Sequence, residues 1–267
     1  MNLTRVFLAF WCAICASIAT AHEFWIEPET FQVAPGENIT AQLKNGQKFE
    51  GISLAYFDRN ITRFDVATGD TLTAVDGRMG DSPALNIQAG DDGLVVVVHE
   101  TAPSFVTYKD WEKFLAFAQH KDFPDIAARH AANGFSPAPF KERYTRHAKA
   151  LIAVGDGAGA DRALGLKTEF VVLTNPYEID FDGTMRVQLL YQAAPRANAQ
   201  VEVFDRDPEG SVTITLHRTD ATGIATIPVT PGHEYLFDGV VLRPAHGSAD
   251  AVWDTFWAAL TFAVPAR

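Results

Sequence analysis

Between residues 31 and 99, short runs of alternating apolar and polar positions are separated by turn-forming residues. Ile39-Thr40-Ala41-Gln42-Leu43 alternates as a half-buried strand does, after a turn at Pro35-Gly36-Glu37-Asn38. Residues 52–57, 62–66 and 72–75 repeat the pattern. Leu94-Val95-Val96-Val97-Val98-His99 is a continuous β-branched run that reads as a strand buried on both faces. The periodicity then changes. Residues 107–110 have the form of a capping box with a shortened acid, and Trp111, Phe114, Leu115 and Ala118 follow at helical spacing. A second helix is expected from about Pro124 to Asn133-Gly134. A third is expected from about Phe140 to Ala153. Its apolar stripe is Phe140, Tyr144, Ala148, Leu151 and Ile152, with Arg143, Arg146 and Lys149 along another face.

The glycine-rich run at 155–161 reads as a linker. A nucleotide-binding glycine loop follows a strand and opens a helix, whereas this run is expected after a helix and before a strand. Seven strand-like segments then fall in residues 168–262, the last with Phe256, Ala258, Leu260 and Phe262 on one face. The fold class expected is mostly β: two immunoglobulin-like or prealbumin-like β-sandwich domains with a helical insertion between them. The expected divisions are an N-terminal sandwich with C-terminal helices over 22–154, a linker over 155–167 and a second sandwich over 168–267.

Residues 1–21 have a different character. Arg5 precedes 13 apolar residues, and Ala19-Thr20-Ala21 supplies small residues for cleavage. This is the layout of a secretory signal peptide, too short in its apolar part to span a bilayer. Cleavage after Ala21 leaves 246 residues beginning at His22 and takes the formal net charge from −11 to −12. Both cysteines, Cys12 and Cys15, leave with the leader, so the remaining chain folds without a disulfide. Periplasmic localisation and no membrane span after cleavage are expected. The carboxylate excess argues against nucleic acid as a partner.

Candidate chemistry centres on His22. As a first residue it presents its α-amine and ring Nδ1 to one ion, a nitrogen chelate suited to Ni, Co or Cu. The other histidines form no HxH, HxxH or HExxH motif. His99 with Glu100 could point into a cavity at a strand end, or His99 could be a hydrogen-bonded structural residue. His147 is expected to be packed between the domains, and His120 and His130 to lie at the surface near helix ends. The Trp253/Trp257 pair could stack on a sugar or a protein partner, although cover for the inserted helices is the preferred use. No cysteine remains as a nucleophile, and no Gly-x-Ser-x-Gly elbow occurs.

Several stretches together resemble a known family: the run from His22 to Pro28, the run from Lys141 to Leu151, Ala163-Leu164-Gly165-Leu166, Asn175-Pro176-Tyr177, and the run from Trp253 to Phe262. They are similar to the secreted bacterial proteins of domain-of-unknown-function family 4198, often labelled the periplasmic component of a cobalt or nickel uptake system. The resemblance implies a transition-metal ligand and an inner-membrane transporter component as partner. Similar sequences often carry a His near the end of the penultimate strand. Here Phe237 to Pro244 contains none, and His233 and His246, which flank it, are the substitutes considered. The expected function is therefore non-enzymatic binding of Ni or Co in uptake or trafficking, with His22, His99, His233 and His246 as candidate ligands. The alternatives are a structural or adaptor sandwich binding a protein or glycan, and a copper redox enzyme using His22.

Overall fold

A computed structural model describes residues 22–266; the signal peptide expected at 1–21 lies outside the described residues. The N-terminal half runs β1 (Glu23–Pro28), the two-residue β2 (Gln32–Val33), β3 (Asn38–Gln47), β4 (Glu50–Leu54), β5 (Ile61–Thr68), β6 (Thr71–Ala74), β7 (Leu85–Gln88), β8 (Gly93–Thr101) and β9 (Ser104–Tyr108). Helices α1 (Trp111–His120) and α2 (Ile126–Ala132) follow, then the long β10 (Phe140–Val154). The second half contains β11 (Thr168–Val172), β12 (Thr184–Tyr191), β13 (Ala194–Pro195), β14 (Gln200–Arg206), β15 (Val212–Arg218), β16 (Ile224–Pro228), β17 (Glu234–Pro244) and β18 (Trp253–Ala263).

The chain is mostly β, as expected, and its sheets pack as sandwiches. One ten-stranded sheet runs β15-β14-β17-β18-β10-β8-β5-β6, with β2 and β9 also on β10. Two four-stranded sheets flank it: β1, β3, β4 and β7 form one, and β11, β12, β13 and β16 the other. Phe24, Ile26, Val97, Ile152 and Leu236 belong to the core under the first small sheet. Val98, Leu151, Phe170, Leu189, Phe237 and Leu260 belong to the core under the second. The two sandwiches share their large sheet through a parallel pairing of β10 with β18, from Glu142 opposite Trp253 to Ala150 opposite Thr261. The glycine-rich segment after β10 is tied to this sheet. Buried Lys149 donates to Asp161 Oδ2 at 2.6 Å and to the Phe170 carbonyl at 2.9 Å, and Asn175 Nδ2 donates to the Gly157 and Gly159 carbonyls.

The third helix expected from the sequence is instead β10. A strand covered on both faces loses its polar alternation, and from His147 to Val154 every residue is buried. An unbroken apolar run satisfies the helical template as readily as the strand one. The correction also separates the three cations: Arg143 and Lys149 fall on one face of the strand, and Arg146 on the other.

The two helices are found close to their expected places. Asp110, not Thr107, caps α1, its carboxylate accepting from the Glu112 amide at 3.0 Å. Their apolar sides cover one region of the large sheet. Phe114, Phe117 and Ile126 pack with Phe140, Val240, Leu242, Trp253 and Trp257. Both Trp253 and Trp257 are buried there, so they serve as helix cover and are not free to stack on a ligand at the surface. No helix among the described residues is long and apolar enough to cross a membrane.

One turn carries strain for packing. Lys48 and Phe49, between β3 and β4, both have positive φ, 53° and 62°. Two-residue hairpin loops of this kind favour Asn-Gly. Phe49 is nonetheless buried, edge-on to Trp25 at 5.7 Å and beneath the Arg206 guanidinium at 4.1 Å.

Phe114 is fully buried, 4.9 Å from the Phe140 ring and 5.0 Å from that of Tyr108. Phe114→Ala leaves a cavity between α1 and the sheet and is expected to destabilise the protein by about 3–5 kcal/mol. Urea denaturation measures the loss.

Candidate functional site

Strand periodicity and helix periodicity meet at one cavity. Alternate residues of β10, Glu142, Tyr144 and Arg146, line its floor. Asp110, Lys113 and Phe117, one side of α1, form the opposite wall. Tyr108 and Lys109 close one end, His22 and Asn45 stand at the other, and Trp257 lies beneath. The cavity holds about 510 Å³, within the range of roughly 300–1,000 Å³ usual for small-molecule sites. A second, shallower hollow also begins at His22 and runs along the β3–β4 hairpin to Gly210 and Val212.

The polar groups of the cavity are unevenly satisfied. Arg146 Nη2 donates to the His22 carbonyl at 3.0 Å, and its guanidinium lies 4.5 Å from the Tyr144 ring. Its Nε is buried without a hydrogen-bond partner. Glu142 Oε1 accepts from Thr255 Oγ1, while its Oε2 is buried and unpartnered. Burial pushes the Glu142 carboxyl up to about 7, against the Thr255 and Tyr108 hydroxyls and the Arg146 charge, which favour its ionised form. Burial also raises the Tyr108 phenol, and the Glu142 charge adds to the effect. Asp110 is engaged in capping α1, and Lys109 and Lys113 are exposed at the rim.

Beneath the His22 end lies a buried ionic cluster. Lys121, at the C-terminal end of α1, places Nζ 3.1 Å from Glu23 Oε1, 2.6 Å from Glu202 Oε2 and 3.0 Å from Asp238 Oδ2. The four side chains belong to β1, the α1 end, β14 and β17, and all are buried. Lys121 also sits 4.9 Å from the Trp257 ring. His120 Nε2 reaches Glu202 Oε1 at 3.2 Å. Burial lifts the Glu23 carboxyl to about 7 and raises that of Asp238. Burial also opposes the ionised Glu202, but the hydrogen bond from His120 and the Lys121 charge hold it below the ordinary value. Burial alone would lower the Lys121 ammonium, yet Asp238, Glu23 and Glu202 together raise it.

The four candidate ligands predicted from the sequence are not gathered into one centre. His22 is exposed at the junction of the two hollows. His99 is buried, with its ring centroid 5.1 Å from those of both Phe24 and Phe64. Neither of its ring nitrogens has a hydrogen-bond partner, so the expected structural hydrogen bond is not made. Burial drives His99 down to about 3, which keeps the ring neutral. His233 Nδ1 contacts Asp205 Oδ1 at 2.6 Å. His246 follows the far end of β17, where its carbonyl accepts from Arg143 Nη2 at 3.2 Å. The 11 residues of β17 separate these two histidines, about 35 Å for an extended strand, so they cannot share an ion. Among the described residues, the group of three or more potential ligands that lies close enough for one ion is Glu23, Glu202 and Asp238, and Lys121 already stands in it. Among the described residues, no second histidine lines either hollow at His22.

Two other histidines need comment. His130, expected at the surface, is buried: Nδ1 accepts from Trp253 Nε1 at 3.0 Å, and Nε2 lies 2.9 Å from the Ser136 carbonyl. Its place near a helix end hid a contact made 123 residues away. His147 is packed inside, as expected, with Nδ1 2.9 Å from the Trp257 carbonyl, and burial lowers its pKa to about 4. Sequence reasoning named Tyr144 and Arg146 on an expected helix but missed Glu142 and the single strand face that carries all three. Their signal was an alternation of charged and aromatic residues, hidden when 140–153 was read as helix.

Comparison with known proteins identifies the family but no activity. The model of a domain of unknown function, DUF4198, matches residues 19–241. No curated protein matches the chain. Among solved structures, the tetra-tandem repeat in the extending region of a large adhesion protein is 11% identical, with 91% of this chain and 49% of that chain covered and a TM-score of 0.21. The present chain thus spans about half of that one. The D0-D1 domain of Intimin is 13% identical, with 89% and 97% covered and a TM-score of 0.19. Three N-terminal domains of the bacteriophage RB49 outer capsid protein Hoc are 8% identical, with 91% and 70% covered and a TM-score of 0.20. Likeness this distant carries no argument about function.

Two outcomes follow from the ionic geometry. Lys121→Met leaves three buried carboxylates without their cation and is expected to cost about 3–5 kcal/mol near pH 8, read by chemical denaturation. Glu142 holds its proton more tightly folded than unfolded. Its contribution to stability is therefore greatest below the ordinary glutamate value of 4.5 and falls as pH rises to about 7. Glu142→Gln should make the decline of stability between pH 5 and 7 shallower by up to about 1.4 kcal/mol per pH unit. An unchanged slope in denaturation series across that range would show that Glu142 is not the group titrating.

Proposed function

The chain belongs to the DUF4198 family, a group named for its unknown function, and we propose that it is a secreted, periplasmic, non-enzymatic binding protein that carries a transition metal ion of the Ni/Co class. Its anchoring ligand is His22, first residue of the processed chain, and a membrane transporter component takes the cargo onward. The observation that carries this reading is the placement of His22. It stands at the mouth of the 510 Å³ cavity, its carbonyl held by Arg146 and the next residue, Glu23, held by Lys121. A chain start fixed on both sides is pre-organised for a bidentate chelate, because little ordering remains to be done when the ion arrives.

The imidazole and α-amine suit Ni, Co and Cu, but two nitrogens leave most of a coordination shell empty. The cavity adds Asn45 and the carboxylates of Asp110 and Glu142, but Asp110 caps α1 and Glu142 is bonded to Thr255, so the shell is not completed. The buried carboxylates below are occupied with Lys121. His22 is therefore an anchor and not a closed site. Burial of Trp253 and Trp257 takes away the surface feature that motivated a glycan- or protein-stacking module.

The test is titration of Ni(II), Co(II) and Cu(II) into protein processed to begin at His22, beside a variant carrying one additional residue ahead of it. The extension turns the α-amine into an amide and leaves the fold untouched. Binding that is present in the first and weakened at least tenfold in the second supports the assignment. Equal binding by both, or binding by neither, overturns it.

A further inference from the structure

The cavity behind His22 has the wrong chemistry for a bare cation and the right chemistry for something else. Arg146, Lys109 and Lys113 line it, against a single carboxylate, Glu142, that is not engaged in capping a helix. A positive wall repels a divalent ion and attracts a carboxylate, for which a guanidinium is the best-matched partner. Three polar atoms of the cavity are buried and unmatched: Arg146 Nε, a donor, and Glu142 Oε2 and Asn45 Oδ1, acceptors. Buried polar atoms of this kind ordinarily have partners, and each unmade bond costs about 1–3 kcal/mol. Glu142 and Arg146 lie four apart on β10 with Tyr144 between them on the same face, about 13 Å from Cα to Cα. Side chains leaning inward can thus address the two ends of one small molecule. Tyr108 and Tyr144, both part-exposed, supply the aromatic surface beside which such a molecule would lie.

Resting on the metal reading above, we infer that this cavity binds a small carboxylic acid bearing an amine or hydroxyl donor, the class of α-amino and α-hydroxy acids that chelate divalent metals, and that the metal reaches His22 as its complex with that acid. Arg146, assisted by Lys113 at the rim, takes the acid's carboxylate, and Glu142 Oε2 takes its N–H or O–H. The acid's remaining donors fill the coordination positions that His22 leaves open. The arrangement accounts for an anchor with two ligands standing beside a cavity in which cations outnumber carboxylates. It also predicts discrimination, since a bare cation leaves the Arg146 donor unmet and enters a wall in which three cations stand against two carboxylates.

Equilibrium dialysis of the processed protein tests this with Ni(II) alone, with L-histidine or citrate alone, and with Ni(II) together with each acid, metal and acid both being quantified. Expected is retention of metal and acid in equal amounts, with an affinity for the complex at least tenfold above that for Ni(II) alone. Arg146→Gln and Lys113→Gln should each lose that enhancement. Lys113 is exposed and makes no contact with the chain start, so loss of the enhancement in its variant is not laid to a disturbed His22 even if Arg146→Gln disturbs it. If either acid only competes, lowering the metal retained and not itself being retained, the inference is overturned while metal binding at His22 stands. If an acid is retained in an Arg146-dependent way without any metal effect, the carboxylate site stands and the metal reading falls. If nothing is retained in any arm, both fall.

Discussion

A single buried ammonium holds the working end of this protein together. Lys121 Nζ is shared by three carboxylates from β1, β14 and β17, elements brought from both halves of the chain. None of these groups could be buried alone, since an unpaired charge in the interior costs far more than any one of its contacts returns. Together they fix the end of α1 on the sheet and the start of β1 beside it. Everything proposed about ligand binding depends on that registration, because His22 is the residue immediately before Glu23.

The same region shows how the protein divides its labour. The carboxylates that could hold a metal are committed to Lys121, and the cavity beside them is lined by cations and aromatic rings. One exposed histidine remains at the junction. The surrounding polar network, with Glu142 on Thr255 and Arg146 on the His22 carbonyl, keeps the walls in place before any ligand arrives.

The ten-stranded sheet supplies the rigidity. The β10–β18 pairing makes one continuous surface from what the sequence divides into two sandwiches. Lys149 pins the glycine-rich crossing to that surface. Both helices then rest on one patch of it through Trp253 and Trp257, so the cavity wall formed by α1 is carried by the second half of the chain while its floor belongs to the first.

The sequence by itself determined the strand-rich character and the positions of the two helices, because alternation and helical spacing are local. It misplaced β10, since burial on both faces erases the alternation by which a strand is recognised, and with β10 it missed Glu142 and its alignment with Tyr144 and Arg146. Lys121 gave no sign of its role, as its partners lie 81, 98 and 117 residues away. Which carboxylates are spent on an internal cation, and which polar atoms remain for a ligand, was decided only by the tertiary structure. Desolvation and pairing are properties of neighbours in space, and nothing in the spacing of these residues along the chain records them.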